Sequence, residues 1–435
     1  MIKKIASTTA TRLIAAIISL VIVVLNSRNI GPAGVGTIGI IILDITIIAN
    51  LSGFFGGSSF VYFTPRKPVK NLFIISFISS FFGPLLFLGI YYLSQRFFSF
   101  ASIIAPPQYL FHIVLLSVIM VFHSNNMAII LGKEKIYIHN ILTVIQFVIL
   151  ILTLIYFFYF KHEYSVFAYI KSFYFGLTFS FLLSLYFVIR EIITDKKNEV
   201  LNGKFLKEIL TYGVTVQLAS LFQVFNYRMP YYFLKAFFPT GNRLGVFTVG
   251  TQLSEGLWII GKSVSMVQYS KISNTNDRKF NSNLTMSLLK FAVIVTTLLI
   301  IALLLIPVDI YISVFHFSAF GQVKEVIFYL SPGIIALSGN MILSHYLSGT
   351  GKPGYNMITS FIGLVIITIT GYYLISLWGL SGAAIATSIT YVTTFLLSAV
   401  FYFSQSESVF NDLKITRADY QLFIRIIGEL SGREK

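Results

Sequence analysis

Apolar runs of roughly 18 to 25 residues, separated by short polar segments, recur along the whole chain. About twenty consecutive apolar residues cross a bilayer as a helix, whereas barrel strands alternate over about ten. The pattern predicts spans at roughly 5–25, 36–63, 71–94, 108–131, 136–160 and 164–189. Beyond a polar stretch it predicts six more, at 208–235, 244–268, 284–306, 325–347, 355–375 and 380–403. The first run follows Lys3 and Lys4 as a secretory leader would, but the chain continues Asn26-Ser27-Arg28-Asn29-Ile30-Gly31-Pro32 without a small-residue cleavage site. A retained first span is expected, and about twelve spans in all.

The polar stretch from Arg190 to Lys207 divides the spans into two sets of six. The expected organisation is a six-helix lobe at 1–195, a cytoplasmic linker at 196–207, a second six-helix lobe at 208–405 and a cytoplasmic tail at 406–435. In the tail, Thr416-x-x-Asp419 resembles a capping box, and Tyr420, Phe423, Ile424 and Ile427 follow at helical spacing. This predicts a helix lying on the inner membrane face.

Composition agrees with the pattern. Charged residues make up 11% of the chain, against about 25% in soluble domains. The formal net charge of +16 would suggest nucleic acid on a soluble protein. Here it is mostly loop charge. With the N-terminus inside, Lys and Arg outnumber their counterparts in the opposite loops by about three to one, which orients the chain and leaves both termini cytoplasmic. There is no cysteine, so disulfides and thiolate chemistry are excluded. His123 and His345 lack partners at ligand spacing, so no metal is expected. No nucleotide or hydrolase motif lies on any loop, and every external loop is too short for a catalytic domain. No cofactor is implied.

An internal echo supports two equivalent halves. Gly34-Val35-Gly36-Thr37-Ile38-Gly39 compares with Gly245-Val246-Phe247-Thr248-Val249-Gly250, and Asp44 and Glu255 each follow ten residues after the first glycine. Six spans per half give repeats of the same orientation, related by a pseudo-two-fold along the membrane normal, with a site between them near the midplane.

Charges inside the spans carry the functional signal, since each costs about 2.5–3.5 kcal/mol at the helix centre. Arg12, Arg28, Lys171, Arg228 and Lys262 face only Asp44 and Glu255 in this inventory. Gln217 and Arg228 share one helix face, and Glu255 and Lys262 another, about 10 Å apart. Pro230 beside Arg228 is a candidate kink. A surplus of cations in a low-dielectric cavity calls for an anionic ligand; Arg suits forked bonding to phosphate and Lys point-charge attraction. Gln217, Gln223 and Asn226 could bind sugar or join helices. Snorkelling and local ion pairing are the alternatives for the charges themselves.

At this point the chain resembles a known family. Arg28-Asn29-Ile30-Gly31-Pro32-Ala33-Gly34-Val35-Gly36 is similar to the Arg-x-Leu-Gly-Pro-x-x-Tyr-Gly signature of Wzx-type polysaccharide flippases, within the multidrug/oligosaccharidyl-lipid/polysaccharide (MOP) exporter superfamily. Gly57-Ser58-Ser59-Phe60, Asn226-Tyr227-Arg228, Glu255-Gly256-Leu257-Trp258, Gly349-Thr350-Gly351-Lys352 and Trp378-Gly379-Leu380-Ser381-Gly382 resemble further segments. Family members often carry an acidic residue after the span 7 arginine; here Met229-Pro230 follows. The resemblance implies an all-α flippase of undecaprenyl-diphosphate-linked oligosaccharide, an O-antigen or capsule repeat unit, in a bacterial inner membrane. It implies alternating access around a cationic central cavity in a monomer, and polysaccharide polymerase or chain-length proteins as partners beside membrane lipids. Arg228, Lys262, Arg28, Lys171 and Arg12 would then meet the diphosphate, and Asp44 and Glu255 are candidates for H+ or Na+ coupling or for structural pairing. The alternatives are a multidrug or cation exporter, which wants surplus acid, a lipid II-type flippase, which usually has two more spans, and a membrane polymerase or ligase, which needs a large external loop.

Overall fold

The computed structural model describes residues 2–57, 59–97, 106–197, 201, 203–273, 277–414, 416 and 419. No strand occurs among them. The helices are α1 (Ile2–Ser52), α2 (Ser59–Phe63), α3 (Val69–Phe97), α4 (Leu110–Gly132), α5 (Ile136–Ile155), α6 (Val166–Thr194) and α7 (Gly203–Phe237). They continue as α8 (Asn242–Gly256), α9 (Trp258–Ser273), α10 (Arg278–Leu305), α11 (Val308–Phe315), α12 (Val323–Gly349) and α13 (Gly354–Gln405).

Among the described residues, eight helical segments are long and apolar enough to cross a membrane. Two of these are double-length. α1 breaks at Gly31, whose φ of 70° suits only glycine, and Pro32 follows without an amide proton. α13 breaks at Gly379, with φ 58°. Spans 1 and 2, and spans 11 and 12, are thus joined by a kink rather than by the loops expected at 26–35 and 376–379. Counting each break as a turn of the chain gives ten spans. α7 and the α8–α9 pair bring the total to twelve; their polar residues keep them below the apolarity of the others.

Two further boundaries differ from the sequence pattern. The expected span 36–63 stops being α-helical at Ser52, passes through a tight turn at Gly53–Phe55, and resumes as α2 after Gly57, φ 60°. The expected span 244–268 breaks at Leu257. α7, in contrast, runs on through Pro230.

The chain forms two compact units: Met1–Val249 with Asp309–Val323, and Gly250–Val308 with Lys324–Lys435. In the first, α5 and α6, α4 and α6, and α1 and α5 pack pairwise. One core cluster gathers Phe60, Phe63, Leu72, Ile129, Leu142 and Phe205. Burying each such side chain is worth about 1.5–3 kcal/mol. One end of this unit is fastened by charge. Asp195 accepts the Val69 amide at 2.8 Å and pairs with Lys133 at 3.8 Å, Lys67 pairs with Glu208 at 3.3 Å, and Lys197 Nζ donates to the Pro65 carbonyl at 2.6 Å. The second unit packs α9 against α10 around Leu288, Phe291, Leu343 and Tyr402. Both units expose large apolar side chains, among them Phe111, Phe160, Ile193, Leu305 and Leu377, which suits a hydrocarbon solvent.

Candidate functional site

In the first unit, the second half of α1 and the middle of α7 present the charged residues. Asp44 is fully buried and accepts a hydrogen bond from the Tyr232 hydroxyl at 2.8 Å. One turn earlier, half-buried Arg228 donates from Nη1 to the Tyr231 hydroxyl at 3.1 Å, its guanidinium 5.3 Å from that ring's centroid. Helical spacing explains the arrangement: positions 228, 231, 232 and 235 fall on one side of α7. Gln217 and Arg228 lie on the same uninterrupted helix, as their spacing requires. Gln217 is buried against the break between α1 and α2, so close that a Cβ on Gly53 would lie 2.5 Å from its Nε2. Gln223 is exposed and donates to the Tyr227 hydroxyl at 2.9 Å; Asn226 is buried. Ser220 bridges to Asn50 Oδ1 at 2.9 Å and helps hold α7 on α1.

Arg28 stands exposed at the Gly31 break. It donates from Nε to the Val314 carbonyl at 2.7 Å and from Nη2 to the Ser313 carbonyl at 3.3 Å. It thereby covers the carboxyl end of α11, where a cation is favoured. Lys171 is exposed and forms an ion pair with Glu163 at 2.8 Å, with its ammonium 5.4 Å from the Phe157 ring centroid. Glu163 lies in the short α5–α6 connection, outside the predicted spans, and adds a carboxylate beside Lys171. The Arg12 side chain lies outside the described residues.

In the second unit, Glu255 is half-buried near the end of α8 and Lys262 is exposed on α9. Because the helix breaks at Leu257, the shared-face spacing expected for this pair applies only to a continuous helix. A further intramembrane cation carried a plain sequence signal, a lysine inside an apolar run. Lys290 on α10 is almost fully buried and bonds to Asp419 Oδ2 at 2.7 Å and to the Lys414 carbonyl at 2.7 Å. Ser287 donates to the other oxygen of Asp419. Both reciprocal bonds of the Thr416–Asp419 box are present: the Thr416 amide donates to Asp419 Oδ2 at 2.8 Å, and the Asp419 amide to Thr416 Oγ1 at 3.3 Å. Tyr420, Phe423, Ile424 and Ile427 lie outside the described residues. Burial by itself would raise the Asp419 carboxyl, but its bonds from Lys290, Ser287 and Thr416 prevail and hold it at about 2.

Among the described residues no group of three His, Asp or Glu side chains could hold a metal ion. His123 is buried and faces Ser184 and Ser180, at 3.0 and 3.4 Å.

No protein-family model matches the chain, and no curated protein sequence matches it. Solved structures do. An inward-facing multidrug resistance MATE family transporter of the MOP superfamily superposes with TM-score 0.66 at 14% identity, covering 92% of this chain and 94% of that one. An outward-facing MATE transporter gives 0.67 at 15% identity, covering 93% and 95%. A MOP superfamily transporter from Pyrococcus furiosus, whose binding pocket is described as reversed in polarity and suggestive of a different function, gives 0.64 at 15% identity, covering 95% and 97%. The chain has the fold of these transporters, an all-α polytopic membrane architecture of twelve helices.

Proposed function

We propose that this protein is a transporter that moves a lipid-linked oligosaccharide carried on a polyprenyl diphosphate across a bacterial inner membrane. The observation that carries this reading is the unequal treatment of the two signs of charge. Arg28 and Lys262 are exposed and Arg228 and Glu255 are half-buried, while Asp44 is fully occluded against Tyr232. The segments are thus poised to meet an anion, and a diphosphate is the anion that guanidinium and ammonium groups bind in complementary ways. An exporter of organic cations would want the opposite arrangement, with accessible carboxylates. The Pyrococcus furiosus transporter supports the idea that this fold accepts pockets of different polarity. In this reading the superposed inward- and outward-facing relatives supply the mode of action, alternating access. The prenyl tail stays in the bilayer. Arg28, Arg228 and Lys262 are the groups suited to the head group. Asp44 and Glu255 are the groups whose charge an H+ or Na+ could cancel between states. Arg12 belongs to the same set by sequence position. Lys171, held by Glu163, has the weaker claim.

The test is genetic and chemical together. Loss of the gene is expected to leave glycan-loaded polyprenyl diphosphate on the cytoplasmic side. Arg228→Ala and Lys262→Ala proteins are expected to reach the membrane yet lower export about tenfold to hundredfold, the worth of one hydrogen bond to a charged group. Unchanged lipid pools with altered tolerance to cationic drugs would instead identify the cation exporter.

A further inference from the structure

The second unit contains a wedge between α12 and α13, apart from Glu255 and Lys262. Its walls are Tyr329 on α12 and Trp378, Ser381 and Ile385 on α13, around a space of about 500 Å³. Trp378 precedes the Gly379 break, which turns α13 there and leaves the indole 58% exposed. Glu325, one turn before Tyr329, accepts a hydrogen bond from Ser381 through Oε1 and bridges the two helices. Deeper in the seam the helices close on each other. Gly333 donates its amide to Ser388 Oγ at 2.8 Å, and a Cβ on Gly333 would lie 2.6 Å from Ser388 Cα. The wedge is thus an open recess with two aromatic side chains on opposing helices and a carboxylate bridge beside them.

We propose that this wedge is a saccharide subsite. A pyranose has apolar C–H faces and a rim of hydroxyls, so it needs flat apolar rings together with hydrogen-bonding groups at their edges. Tyr329 and Trp378 supply rings, which bury large areas and carry a polar edge each. Glu325 Oε2 is an acceptor, and the Tyr329 hydroxyl and Trp378 Nε1 are donors; among the described residues neither of those two donors has a hydrogen-bond partner. The carboxylate argues against phosphate as the occupant, so the subsite complements the cationic groups rather than repeating them. With both chain ends inside, as the loop charges predict, the α11–α12 and mid-α13 connections lie on the outer side of the membrane. The subsite would receive the glycan as it emerges. This inference rests on the glycan reading of the function. Two rings beside a carboxylate also resemble a cage for a quaternary ammonium; the Ser381 bond to that carboxylate and the open wall at Trp378 favour the hydroxyl-rich ligand. Tyr and Trp anchored at the lipid interface are the plainer alternative.

The chain has two tryptophans, so Trp258→Phe leaves Trp378 as its sole indole. This protein, held in lipid nanodiscs without sugar-headed detergent, would be titrated with glycan released by mild acid from the lipid-linked pool of the same bacterium, and separately with choline. A saturable change in Trp378 emission is expected with glycan and none with choline. Tyr329→Ala and Glu325→Gln should each raise the half-saturating concentration about tenfold, the usual weight of an aromatic pair or a charged hydrogen bond. Calorimetry on the unaltered protein should give the same half-saturation and guards against damage by Trp258→Phe. No response to glycan, a response to choline alone, or glycan binding indifferent to both substitutions would overturn the subsite. The broader function fails separately, if the gene's loss leaves lipid-linked glycan at its normal level, whatever Trp378 reports.

Discussion

A buried carboxylate needs a donor, and Asp44 receives one from Tyr232. Tyr232→Phe removes that bond without changing the ring, and is expected to cost about 1–3 kcal/mol of stability, the price of leaving a buried acceptor short of a partner. A denaturation midpoint in detergent reads this directly. Lys171 presents the opposite case. Its ion pair with Glu163 is exposed, and such pairs contribute about 0–1 kcal/mol. Lys171→Ala is expected to change export less than about twofold, where Arg228→Ala abolishes most of it; export assays on the two variants side by side separate a surface pair from a cargo contact. That Asp44, Arg228 and Lys262 lie inside the spans was legible in the sequence, because ionisable groups stand out in apolar runs. Their partners were not. Tyr232 is joined to Asp44, and Asp419 to Lys290, across distances in the chain that periodicity does not encode.

Among the elements, α1 and the start of α8 pack backbone to backbone. A Cβ on Gly245 would lie 1.8 Å from the Pro32 carbonyl oxygen, and one on Gly36 would lie 2.5 Å from the Gly241 carbonyl oxygen. Neither backbone can step aside cheaply. Gly245→Ala should therefore destabilise at or beyond the upper end of the usual 1–3 kcal/mol for overpacking, roughly, with loss of folded protein in size-exclusion profiles. The sequence displayed both glycines as a repeat motif, and the structure supplies a physical reason for them. The tail makes a second element-scale prediction. The Asp419 carboxyl titrates at about 2 in the folded protein and at about 3.9 in an unfolded chain. A depressed carboxylate stabilises above its unfolded value and loses that contribution as pH falls through the folded one. The attachment of Lys414 and Asp419 to Lys290 on α10 should thus hold from neutral pH to about pH 4 and release as pH approaches 2. Protease protection of the tail reads the transition, and Asp419→Asn should give the released pattern already at neutral pH.

For the molecule as a whole, the hydrophobic pattern determined the class, an all-α chain of membrane-spanning helices, because in a bilayer each helix must satisfy its own backbone and so announces itself locally. Tertiary structure alone decided that spans 1 and 2, and 11 and 12, are kinked continuations, since a single left-handed glycine replaces a loop only when neighbouring helices hold the bend. It also decided that Lys290 is neutralised from the tail and that Tyr329, Trp378 and Glu325 share one wedge. Those meetings depend on which helix faces pack together, and a one-dimensional pattern specifies faces without naming the neighbour each will meet.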